Sequence, residues 1–198
     1  MLGKEQRIVD GQATYQYRKL AQAMLSVPED RRRVAIDIGS HVGLWAMQLV
    51  KLFDKVECFE PNPEVARLWP WNVRTDNARL WPFALGKIHG KIALEYNPKV
   101  SGNAHVTGID ENGIEMRPLD SFEFEQVDFI KIDVEGYESL VLKGAEKTIR
   151  KNRPVMVLEQ KGNDGRLGFG LHAGLKLCKR WGMRSAFCIG GDHILIWD

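Results

Sequence analysis

The sequence predicts an α/β fold, a doubly wound and mostly parallel sheet with helices on both faces, on three observations. Residues 34–43 read Val-Ala-Ile-Asp-Ile-Gly-Ser-His-Val-Gly, an apolar run that reaches Asp37 and opens into a loop bounded by Gly39 and Gly43. Helical character follows over residues 44–50, completing a strand, a tight turn and a helix. Residues 126–133 form another continuous apolar run, as strands buried on both faces do, followed by a helical pattern over 137–150 and a strand over 154–158. In such open sheets ligands bind at the carboxyl ends of the strands, where the first turn sits.

The loop spacing narrows the ligand. A dinucleotide site uses G-x-G-x-x-G, whose second and third glycines admit the pyrophosphate and let helix and strand pack closely. Counted from Gly39, those positions hold His41 and Leu44, and Asp37 places a negative charge where a phosphate would be repelled. A ligand with a ribose and a cationic or zwitterionic tail fits better. The second strand, residues 55–60, ends in Glu60 about twenty residues past the loop, the interval at which a carboxylate takes ribose hydroxyls.

The loop resembles motif I of class I methyltransferases, D-x-G-x-G-x-G, with His41 in place of the middle glycine, a pattern similar to the FkbM-type family. Further stretches carry the resemblance: Cys58-Phe59-Glu60-Pro61-Asn62-Pro63, residues 117–122, Asp128-Phe129-Ile130-Lys131-Ile132-Asp133-Val134-Glu135-Gly136, and residues 153–159. It implies S-adenosylmethionine as cofactor, O-methylation of a hydroxyl on a sugar, glycan or other small-molecule acceptor, and a Rossmann-like, seven-stranded, mostly parallel sheet with one antiparallel strand. It further implies a cofactor site of Asp37, Gly39, Ser40, His41, Gly43, Glu60, Pro61, Phe83, Ala84 and Asp133.

The elements follow in order. Residues 1–33 are expected to be a helical extension packed on a domain of residues 34–198; within it Tyr17, Leu20, Ala21, Met24 and Leu25 recur at helical spacing. Pro61-Asn62-Pro63 stops the second strand, and a helix over 64–72 must kink or end at Pro70, which lacks an amide proton. Trp69 and Trp71 read as core or interface residues. A third strand over 78–85 should turn Phe83 and Ala84 toward the adenine. Residues 91–96, followed by 97–105, then read as a hairpin and a polar loop, where Ser101, Asn103 and His105 are candidate substrate contacts. After a flexible segment at 162–165 come a helix over 172–181 and a hairpin of 184–189 and 193–197, turned at Gly190-Gly191-Asp192.

Composition excludes several classes. With 198 residues the chain is one domain by length, and its net charge of +2 offers no basic face for nucleic acid. The compact basic run, Arg31-Arg32-Arg33, reads as a solvated loop edge. No apolar stretch is long enough to cross a bilayer and no signal-peptide core is present, so a cytoplasmic protein without membrane contact is expected. Cys58, Cys178 and Cys188 lack ligand spacing and read as reduced, buried thiols.

The strand ends deliver Asp133, Glu135 and Glu159 to the same edge as Asp37 and Glu60; structural ion pairing with Lys131 or Lys161 would account for any one of the three acids, but less well for all of them together. Methyl transfer needs donor and acceptor held in line, and a hydroxyl acceptor needs a base. Asp133 is expected to orient the donor end and Glu135 to contact or deprotonate the acceptor. Glu159 and His105 are further catalytic candidates, with His172 behind them. The three acids could instead hold a divalent cation, but no ligand spacing specifies one, and the expected transfer is metal-independent. A nucleotide-cofactor oxidoreductase is opposed by His41 and Leu44; a non-catalytic scaffold would leave the convergent acids inert.

Overall fold

The computed structural model describes residues 8–9, 12–13, 16–97, 100–160, 170 and 172–198. The chain begins with a short antiparallel pair, β1 (Ile8–Val9) and β2 (Gln12–Ala13), and helix α1 (Tyr17–Met24). Then follow β3 (Val34–Ile38), α2 (Ala46–Leu49), β4 (Lys55–Phe59), α3 (Pro63–Ala66), α4 (Trp69–Asn72) and β5 (Ala78–Trp81). An inserted group comprises β6 (Ala84–Leu85), β7 (Gly90–Asn97), β8 (Val100–Ile109) and β9 (Ile114–Arg117). The chain returns through β10 (Val127–Ile132), α5 (Glu138–Lys143), α6 (Glu146–Asn152), β11 (Val155–Glu159), α7 (Ala173–Arg180), β12 (Met183–Ile189) and β13 (Asp192–Trp197).

The main sheet has seven strands in the order β12-β13-β11-β10-β3-β4-β5. Strand β13 runs antiparallel to both neighbours, while β11, β10, β3, β4 and β5 pair in parallel. The expected architecture is therefore the observed one. Register aligns the strand ends: Ile38 faces Phe59 and Ile132, and Ile132 faces Leu158. Gly39, Glu60, Asp133 and Glu159, each the next residue or the last of its strand, consequently emerge at one edge.

Both sheet faces are covered. Ile36, Ile38, Ile130, Ile132, Met156 and Leu158 pack on one side beneath Val141, Leu142 and Ile149. Ala35, Phe129 and Val157 alternate to the other, against Ala23, Trp45, Leu49 and Phe53. Helix α1 buries Leu20 and Ala23 in this second layer, and Lys19 pairs with the buried Asp192 of β13. The expected face of α1 is corrected here, because Tyr17 is 63% and Leu25 79% exposed.

Four other expectations change. Pro82 splits the anticipated third strand, since it cannot donate to a ladder, and the chain leaves β5 for a separate four-stranded sheet, β6-β9-β7-β8. The anticipated hairpin is present as β7 paired antiparallel with β8, but β8 takes in most of the stretch expected to be a polar loop. The anticipated helix of 137–150 is two helices, because Gly144 lies against the backbone of Gly86, whose carbonyl oxygen would be 1.9 Å from any Cβ added there. Asp120 then caps α6, accepting the backbone N–H of Thr148 at 2.8 Å and of Lys147 at 3.0 Å. Lastly, Arg31 and Arg33 are not merely solvated: Arg33 grips the buried Asp128 carboxylate at 2.6 and 2.8 Å and Arg31 at 3.3 Å.

Burial works against the Asp128 charge, yet these arginines hold its carboxyl below the usual carboxylate range. No helix among the described residues is long and apolar enough to cross a membrane. Cys58 and Cys178 are buried as expected, whereas Cys188 is exposed on β12, the outermost strand of the sheet. The segment expected at 162–165 and the side chains of Ser101 and Asn103 lie outside what is described.

Candidate active site

The glycine loop is shaped by contacts that only small or left-handed residues allow. Gly39 has φ +78°, and a Cβ there would lie 1.9 Å from the carbonyl oxygen of Asp133. His41, at the position of the missing glycine, itself takes φ +53°, the left-handed region that glycine enters without strain. The N–H groups of Gly39 and Ser40 both donate to the Phe59 carbonyl at 3.0 Å, binding the loop to the end of β4. Ser40 Oγ accepts the indole N–H of Trp69 at 3.1 Å, which places that tryptophan in the core.

Glu60 closes the loop from the next strand. Its carboxylate accepts N–H groups of His41 and Asn62, each at 2.8 Å, and Asn62 caps α3 through Glu64 N–H at 3.1 Å. Burial pushes the Glu60 carboxyl up to about 6, although those two N–H donors and the charge of Lys131 pull the other way. A carboxylate has about four lone-pair sites, so acceptor capacity remains toward the cavity.

One cavity of about 180 Å³ lies over this edge. Gly39, Ser40, His41, Glu60, Pro61, Phe83, Ala84 and Asp133 line it, together with the catalytic candidates Glu135, Glu159 and His105. Phe83 and Ala84 reach it from beyond the end of β5, and His105 from β8. Two expected members do not face it. Asp37 is fully buried beneath the loop, opposite Lys131, and Gly43 packs against Val73 and Trp69. Both shape the loop from behind. His172 is also elsewhere, with its ring 6.4 Å from that of His193.

Asp133, Glu135 and Glu159 offer carboxylate oxygens that all lie within 4.8 Å of one another. Glu135 adopts φ +52° and is followed by Gly136 at φ +102°. This left-handed turn is held by the buried Glu138, which accepts N–H groups of Gly136 at 3.0 Å and Val134 at 3.3 Å. Holding a non-glycine residue there costs of order 1 kcal/mol or more and is typical of functional sites. An all-oxygen donor set this close suits a hard divalent ion.

Sequence reasoning missed several wall residues. Lys131 is not among them: ion pairing with the strand-end acids was the role expected of it, and its Nζ lies 3.7 Å from Asp133 Oδ2. Trp45 and Gln16 also line the cavity, with the indole N–H of Trp45 donating to Gln16 Oε1 at 2.9 Å. Leu94, Val106 and Tyr137 complete the wall from the inserted sheet and the start of α5; no local pattern announces such residues.

Comparison with known proteins agrees with this geometry. Residues 37–181 match the model of the methyltransferase FkbM domain. The 2-O-methyltransferase NoeI of Sinorhizobium fredii is 27% identical over 164 residues, covering 68% of this chain and 66% of that protein. This chain thus spans just under two thirds of that relative. Among solved structures, methyltransferase FkbM from Methylobacillus flagellatus aligns over 85% of this chain and 44% of its own, with 19% identity and a TM-score of 0.53. A candidate methyltransferase from Streptococcus mutans in complex with SAH aligns over 90% and 94%, with 10% identity and a TM-score of 0.55. At these identities the structural likenesses establish the fold.

Proposed function

This chain belongs to the methyltransferase FkbM domain family, and we propose that it transfers a methyl group from S-adenosylmethionine to a hydroxyl oxygen of a sugar, glycan or other small molecule. The observation that carries the reading is the meeting of the Gly39 loop, Glu60 and Asp133 around one cavity. S-adenosylmethionine supplies a methyl group on a cationic sulfur, with a neutral thioether as leaving group. The residues present fit it. Gly39 leaves no side chain between backbone and ligand, Glu60 offers an anionic acceptor for ribose hydroxyls, and Phe83 and Ala84 give an apolar wall for a base.

In this reading Asp133 attracts the cationic end of the donor, and Glu135 takes the acceptor hydroxyl proton at a carboxylate oxygen. His105 and Glu159 bound the acceptor side. Leu94 and Val106 on the inserted sheet exclude water from it. In the same reading the chain divides into an extension of residues 1–33 and a methyltransferase domain of residues 34–198; burial of Leu20 and Ala23 of α1 against the core of that domain supports it. The hydroxyl acceptor accords with the activity named for the Sinorhizobium relative.

A second reading has one observation in its favour: the carboxylate triplet could hold a divalent cation that lowers the acceptor pKa. Calorimetry tests the cofactor assignment. S-adenosylmethionine and S-adenosylhomocysteine should bind and NAD should not; NAD binding without either sulfur ligand would replace the assignment with a dinucleotide site.

A further inference from the structure

Strand β10 is apolar except at Asp128, which Arg31 and Arg33 hold, and at Lys131, which is only 4% exposed. Burying an ammonium is costly unless partners compensate, so those partners reveal its purpose. Lys131 Nζ donates to the Gly39 carbonyl oxygen at 2.7 Å, lies 3.3 Å from Asp37 Oδ1 and 3.7 Å from Asp133 Oδ2. Asp37 is its in-register neighbour on β3, Gly39 opens the loop, and Asp133 is the first residue past β10. Neutralising Asp37 would need only one of these contacts. The lysine also lines the cavity, and its charge acts on Glu60 across the loop.

The loop and the Asp133 turn already touch, since Asp133 N–H donates to the Ile38 carbonyl at 3.1 Å and its own carbonyl crowds Gly39. That contact fixes the backbones but not the Asp133 carboxylate. A cation between the Gly39 carbonyl and the carboxylate fixes both at once. We propose that Lys131 is a positioning residue of the cofactor site, locking the Gly39 loop and the Asp133 carboxylate in one arrangement before ligand arrives. This rests on the reading of the cavity as a site for S-adenosylmethionine.

The test compares the 198-residue wild type with Lys131→Met and with the double variant Lys131→Met/Asp37→Asn. The double variant removes both buried charges, so it spares the fold an orphaned ion. Thermal melting and calorimetric binding of S-adenosylhomocysteine are read on each. The double variant should melt near the wild type yet bind S-adenosylhomocysteine at least tenfold more weakly. Return of wild-type affinity together with stability would overturn the proposal, because the lysine would then serve only to neutralise Asp37. Failure of both variants to fold would equally overturn a role centred on the site. No binding by the wild type would instead remove the cofactor reading on which the proposal stands.

Discussion

The backbone N–H of His41 donates to Glu60 Oε2 at 2.8 Å, so the loop after β3 and the acid after β4 hold each other in place. The residue that replaces a glycine of motif I is thereby tied to the carboxylate proposed to take the ribose hydroxyls. Neither can shift without the other.

Glu60→Gln keeps the shape and removes the charge. Hydrogen bonds to charged groups contribute about 1.5–3 kcal/mol, so binding of S-adenosylhomocysteine should weaken about tenfold or more. Calorimetry on the folded variant checks this, and unchanged affinity would move the ribose elsewhere.

The same carboxyl makes a pH prediction with two opposite signs. Burial raises it from 4.5 to about 6. Between those values the unfolded chain is ionised at this group while the folded chain binds a proton, so stability rises as pH falls through the window, by up to about 2 kcal/mol. Cofactor binding needs the carboxylate and should weaken over the same fall. His193, held below its usual 6.5 chiefly by burial, loses stability as pH falls and so opposes the first trend. It does so equally in Glu60→Gln. The difference in melting temperature between wild type and variant, followed from pH 7 to about 4.5, therefore reports Glu60, and a flat difference would refute the assignment.

Asp133→Asn and Glu135→Gln address catalysis. A positioned base contributes typically about a hundredfold to ten-thousandfold, so Glu135→Gln should lower turnover by about that range with folding intact. Asp133→Asn should also impair cofactor binding. Turnover is expected to survive a chelator; loss restored by magnesium would give the carboxylates to a metal.

The cysteines separate by exposure. Cys188 should react first with an alkylating reagent in the folded protein, while burial pushes the Cys178 thiol up to about 12 and raises Cys58 as well. Serine at Cys178 or Cys188 should leave turnover largely intact. Mass spectrometry of the labelled protein and activity of the two variants check both statements.

The strand ends were legible because each combines an apolar run with an acid or glycine at its close, as at Asp37-Ile38-Gly39, Phe59-Glu60 and Ile132-Asp133. Burial on both faces makes such runs continuous and easy to place. What was not legible depends on partners far along the chain. The break at Gly144 is set by the Gly86 backbone and the start of α6 by Asp120, neither local to it. Residues 100–105 look like a loop by composition, yet pairing with β7 makes them a strand. Asp37 carried the right motif but faces Lys131 and not the cavity, which spacing alone does not show.

Among the described residues the four-stranded insert shares no strand pairing with the main sheet, yet its Leu94, His105 and Val106 form one wall of the cavity. Under the proposed reading, the two ligands are written in separate stretches of the gene: the methyl donor at the ends of β3, β4 and β10, the acceptor largely in residues 90–109. Exchange or drift of that one segment can therefore re-aim the enzyme at a new hydroxyl while its donor grip is inherited unchanged.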